Sequence, residues 1–138
     1  AQAVVVATTL ARRAVEEGER DLAGRLLAGV AVPAHRSGRA YLAAHRDLAS
    51  AALARLEGHV DAAERALGAA TERFERLGAL PACALARLEA ARLADARGFR
   101  GSSLALYRRA SQELSALGMA REAGEAGRRV RTLAAPSS

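Results

Sequence analysis

Residues 58–78 read GHVDAAERALGAATERFERLG, and residues 98–118 read GFRGSSLALYRRASQELSALG. Each stretch opens and closes on glycine and holds one amphipathic run between. A glycine just past a helix end takes the left-handed conformation without a Cβ penalty and stops the helix. Gly18 and Gly38 stand ahead of Gly58 and Gly78 by the same interval that separates the two stretches. Between the glycines the register holds: Ala23, Ala63 and Ser103 align, then Leu27, Leu67 and Tyr107, then Val30, Ala70 and Ala110. Before the first glycine of each unit, Ala11, Ala51 and Ala91 align, as do Ala14, Ala54 and Ala94. An alanine-rich chain can align one such column by chance, but not two columns of glycine as well. The chain repeats with a period of about 40 residues, in the range of stacked helix pairs.

In each unit a helix A ends near the first glycine and a helix B near the second. Helix A is expected over 2–17, 41–57 and 81–97, and helix B over 19–31, 60–77 and 100–117. Asp21 and Asp61 then sit in first turns, where a carboxylate meets the positive end of the helix dipole. Pro33 interrupts the second helix of unit one, so residues 32–38 are expected as a looser connection. After Gly118 one more helix is expected over 119–133. Met119, Ala123, Ala126, Val130 and Leu133 form its apolar stripe, and Arg121, Glu122, Glu125, Arg128, Arg129 and Arg131 occupy the rest. One apolar and one charged face is what the end of a stack requires. The expected fold is therefore all-α: a right-handed α-solenoid of three helix pairs (units 1–38, 39–78 and 79–118), a capping helix 119–133 and a tail 134–138. Val4, Val5 and Val6 give the front helix an apolar end, so self-association through it is expected.

Composition agrees. Hydrophobic residues make up 51% but aromatics only 3%. Alanine, leucine, arginine and glutamate favour helix, and the β-branched and aromatic residues that strands prefer are scarce. No apolar run approaches the roughly 18 residues of a membrane span, and the lone Cys83 excludes an intrachain disulfide. A cytoplasmic setting is expected. The chain opens on alanine inside a helical pattern, as a piece of a longer protein would.

Chemistry is poorly provided for, and neither enzymatic activity nor a cofactor is expected. His35, His45 and His59 lack metal-ligand spacing. Cys83 lies near a helix start, where a thiol can become reactive; a small buried apolar residue is the plainer role. GFRGSS at 98–103 lacks the lysine and preceding strand of a phosphate loop. The net charge of +6 comes entirely from arginine, yet those arginines are interleaved with 15 acids, as on a solvated helix surface. Helical repeats that read RNA use polar code positions and aromatic stacking, both nearly absent here, so nucleic acid is not the expected partner.

The series Gly58, Ala63, Leu67, Ala70, and again Gly98, Ser103, Tyr107, Ala110, resembles the spacing of tetratricopeptide-like repeats in their long variety. ATERFERLGALPACALARLEAARL (70–93) and SLALYRRASQELSALGMAREA (103–123) look like the helical repeats of large actinobacterial regulators of the LuxR-type and antibiotic-regulatory kinds. The resemblance covers essentially the whole chain. It departs in lacking the family's tryptophan, most of its tyrosine and its late proline. The unit is also longer than the family's usual repeat of roughly 34 residues. A HEAT-like pair has a similar period and is the alternative geometry. The resemblance implies a concave surface lined by A helices. Carrying its groove positions across by register marks Val5, Thr8, Arg12 and Val15, then His45, Leu48, Ala52 and Arg55, then Leu85, Leu88, Arg92 and Asp95. Such a groove implies a peptide or protein partner, or other domains of a parent regulator. A small-molecule effector is the alternative ligand.

Overall fold

The structure, a computed structural model, describes residues 36–136. They form five helices: α1 (Arg36–Leu56), α2 (Val60–Leu77), α3 (Leu80–Ala96), α4 (Arg100–Ala116) and α5 (Ala120–Ala134). Among the described residues there is no strand, and no helix is long and apolar enough to cross a membrane. The described residues are all-α. The chain divides into two compact units, Ala1–Ala79 and Leu80–Ser138; α1 packs on α2 in the first, and α4 packs on both α3 and α5 in the second.

From α2 onward the helices begin at even intervals, at Val60, Leu80, Arg100 and Ala120. The corners explain the regularity. Gly58, Gly78, Gly98 and Gly118 have φ of 80°, 64°, 79° and 75°, the left-handed conformation that glycine adopts without strain. At the first corner the His59 N–H donates to the Ala54 carbonyl at 2.8 Å, and the Gly58 N–H to that of Arg55 at 3.1 Å. This is the Schellman closure, which satisfies carbonyls left over at a helix end. The same pair of bonds closes the corners at Gly78, Gly98 and Gly118. The residue after the glycine then serves the next helix: the carbonyls of His59, Phe99 and Met119 accept from the N–H groups of Ala63, Ser103 and Ala123 at 2.9, 2.8 and 2.9 Å. None of these three caps uses a side-chain hydrogen bond. Backbone alone makes the turn.

The buried face of the B helices repeats as well. Ala63, Leu67, Ala70 and Phe74 are buried on α2, and Ser103, Tyr107, Ala110 and Leu114 on α4. Phe74 and Leu114 add a fourth column that chemical similarity alone does not disclose. In the second unit Ala84, Leu88 and Ala91 of α3, Tyr107, Ala110 and Leu114 of α4, and Ala123, Ala126 and Leu133 of α5 make one cluster, with Met119 and Val130 half-buried against it. The expected stripe of the last helix is thus its packing face, with Met119 as the cap rather than the first helical residue. Arg100, the first residue of α4, closes the far end of α5: its Nε donates to the Leu133 carbonyl at 2.9 Å and its Nη2 to that of Ala135 at 3.1 Å. A cation there meets the negative end of the helix dipole.

One expectation is corrected. Arg36, Ser37 and Gly38 are helical, not a loose connection, and Gly38 lies inside α1 instead of ending a helix. Glycine is tolerated in a helix interior at about 1 kcal/mol relative to alanine, and the following run RAYLAAHRDLASAALARL carries the helix back through it. The expected helices 2–17 and 19–31, the break at Pro33 and the apolar Val4–Val6 segment lie outside the described residues.

Candidate functional site

The positions marked by register fall into three settings. Arg12 lies outside the described residues. His45 is only 4% exposed and stands edge-on to Tyr41 and Phe74, with ring centroids 4.5 and 4.9 Å away. Leu48 and Ala52 of α1 and Leu88 of α3 are buried, while Arg55 and Leu85 are half-buried. These A-helix positions contribute to packing. Their apolar character is visible in sequence, but which neighbour covers them is not.

Arg92 and Asp95 come together in a polar seam between α3 and α5. The Arg92 side chain is 10% exposed and pairs at 3.5 Å with Glu89, whose side chain is 1% exposed; its Nε also donates to Glu125 at 3.0 Å. One turn on, Asp95 accepts two bonds from Arg129 and a longer one, at 3.4 Å, from the Tyr107 hydroxyl. The Arg129 hydrogen bonds hold the Asp95 carboxyl below its usual range, against the opposing effect of burial. The Tyr107 phenol is pushed up to about 12, mainly by burial and further by the Asp95 charge. Every acid in the seam faces a guanidinium. Removing one partner of a buried pair leaves an uncompensated charge, so the seam's chemistry is positional: it sets α5 on α3.

The first unit has a smaller counterpart, in which Arg73 Nη1 donates to Asp47 at 2.8 Å. Burial outweighs Arg73 and Arg46 there and raises the Asp47 carboxyl. In the second unit Arg87 and Glu113 form an ion pair at 3.0 Å, with Arg109 at 4.0 Å.

The second unit also holds an open pocket of about 480 Å³ lined by α4 and α5. Ser111 and Ser115 line it from α4; Ala123, Gly124, Gly127, Arg128 and Arg131 line it from α5. The Arg128 and Arg131 guanidiniums fold back over the two glycines, 3.4 and 3.7 Å from where a Cβ would stand on Gly124 and Gly127. Among the described residues, neither arginine has an acidic partner within ion-pair distance. Sequence reasoning places both on the solvated face of a capping helix and passes over them. The overlooked signal is the pair of glycines inside a helix, each about 1 kcal/mol less favourable than alanine.

Protein-family models, curated proteins and solved structures were compared with this chain, and none matches it.

Proposed function

We propose that this chain is a helical-repeat interaction module of a larger regulator, binding a helical or extended segment of a protein partner. The observation that carries this reading is the repetition itself. The same backbone corner recurs at Gly58, Gly78, Gly98 and Gly118, and the buried face of α2 returns one repeat later on α4. Units of this kind bury their apolar faces by stacking and offer extended surfaces to partners. The finer architecture proposed is a right-handed solenoid of three tetratricopeptide-like pairs closed by α5, in the manner of the actinobacterial regulators its sequence resembles, in a cytoplasmic setting. In the first unit His45 and Leu48 supply packing; in the second Leu88 supplies packing and the Arg92 and Asp95 seam supplies rigidity. The α4–α5 pocket supplies the contact.

A small-molecule effector is the second reading. A volume of about 480 Å³ falls within the range of ligand pockets, but those are mostly enclosed and apolar, whereas this one is open and lined by glycine, serine and arginine.

Panning a phage-displayed library of helical and extended peptides against the purified chain tests the proposal. Oligonucleotides titrated at two salt concentrations run in parallel. Enrichment of a related peptide set supports an interaction module. Failure to enrich peptides, with oligonucleotides bound in a salt-dependent manner, would replace it.

A further inference from the structure

The packing of α3 on α4 has an unpartnered counterpart at α5. Ala84, Leu88 and Ala91 of α3 share one buried cluster with Tyr107, Ala110 and Leu114 of α4. One repeat on, their counterparts are Gly124, Arg128 and Arg131, and all three line the open pocket. The face on which α3 receives its following helix is repeated on α5, with Arg128 in place of Leu88 and Arg131 in place of Ala91.

We propose that this face docks a helix from a partner polypeptide carrying two carboxylates one turn apart. The proposal rests on the interaction-module reading and names the partner's chemistry. Gly124 and Gly127 form the floor of the pocket, and the Arg128 and Arg131 guanidiniums lie over it. Arg128 and Arg131 are three residues apart, adjacent on one helix face, and a carboxylate pair at the same rise meets them both. An apolar helix covering these arginines would bury guanidiniums without counter-charge, an unfavourable arrangement; carboxylates convert it into charge-assisted pairs. The nearby acids Glu113 and Glu125 are engaged with Arg87 and Arg92.

The probe is a labelled, alanine- and leucine-rich helical peptide of about five turns, roughly 18 residues at the α-helical repeat, with two glutamates at the same spacing as Arg128 and Arg131. A second peptide has glutamine at both positions, and a third has lysine. Each is titrated with the whole chain by fluorescence anisotropy at low and at physiological salt. The glutamate peptide is expected to bind about tenfold more tightly than the glutamine peptide, a difference near 1.4 kcal/mol, and its advantage should shrink with salt. The double variant Arg128→Glu, Arg131→Glu should lose that preference and favour the lysine peptide. Gly124→Leu, which fills the floor, should weaken every peptide while circular dichroism and the urea midpoint report a folded chain. Equal binding of the glutamate and glutamine peptides overturns the proposal. So does displacement of the peptide by millimolar citrate or phosphate acting alike on both, which marks a small-anion site. A concentration-dependent dimer abolished by Arg128→Glu overturns it in favour of a second copy. If phage-selected peptides bind the chain but ignore the three substitutions, the interaction module stands and this docking face falls.

Discussion

Arg129 holds Asp95 with both arms of its guanidinium fork, Nε to Oδ2 at 2.6 Å and Nη2 to Oδ1 at 2.9 Å. The pair joins α5 to α3 across 34 residues of sequence. Small apolar side chains such as Ala123 and Ala126 leave the rotation of a helix loosely set, and a bidentate pair fixes it. Because the two side chains are 22% and 39% exposed, solvent screens much of the attraction. Asp95→Asn should therefore lower stability by about 1 kcal/mol, read as a lower urea midpoint. A double-mutant cycle with Arg129→Gln should show positive coupling; strict additivity of the two losses would remove the seam from the account. The sign with pH follows from the lowered Asp95 carboxyl. Its stabilisation is fully present above the unfolded value of 3.8 and is lost as pH falls through the folded one, so the deficit of Asp95→Asn should narrow in acid.

Tyr107 gives an optical test of the same seam. Its phenol is raised from 10.0 to about 12, so the folded chain keeps a proton that the unfolded chain releases first. Stability attributable to it is complete below pH 10 and lost as pH rises toward about 12. Titration of tyrosinate by near-ultraviolet absorbance should show this late ionisation. In Asp95→Asn it should move down but stay above the ordinary value, since burial is the larger cause. No movement would mean that Asp95 and Tyr107 do not sense each other.

Glycine offers a contrast within one chain. Gly98 has φ 79° and open space around a would-be Cβ, so Gly98→Ala meets only conformational strain, about 1–2 kcal/mol. Gly68 is helical and equally open, so Gly68→Ala should stabilise by about 0.5–1 kcal/mol. Opposite shifts of the urea midpoint are expected. Matching shifts would contradict the corner geometry.

Ala63 is 1% exposed and sits at the start of α2, where its N–H closes the corner on His59. Ala63→Leu should overpack that site and cost about 1–3 kcal/mol. Ala62→Leu, one position round the helix and half-buried, is the control. Equal thermal midpoints for the two variants would show that the column is not tightly packed.

How far the sequence speaks for this structure differs from one residue to the next. Gly58, Gly78, Gly98 and Gly118 announce the corners because few other residues adopt a positive φ cheaply. Gly38 carries the same letter at the same interval and yet lies inside α1, since glycine permits a stop without compelling one. Ala123, Ala126 and Leu133 reveal their burial through helical spacing. Glu125 and Arg129 do not reveal their pairing, because their partners Arg92 and Asp95 lie 33 and 34 residues earlier and no local pattern links such positions. His45, Leu48 and Leu88 read equally well as groove or core. On an A helix that is apolar around most of its circumference, only the neighbours decide. Arg128 and Arg131 are the hardest to read: a charge on a terminal helix suggests solvent until the glycines beneath it are noticed.

The corners have a consequence for how such a chain can change length. Surface loops ordinarily accept extra residues at little cost. Here the link between helices is two or three residues long. The glycine and the residue after it are hydrogen-bonded backward, and at His59, Phe99 and Met119 the second also accepts the first bond of the helix ahead. An inserted residue would separate the stop of one helix from the start of the next, and one of the two would come undone. A change of length that keeps every corner intact adds or removes whole helices. Recombination between corners can therefore lengthen this protein where point insertions cannot.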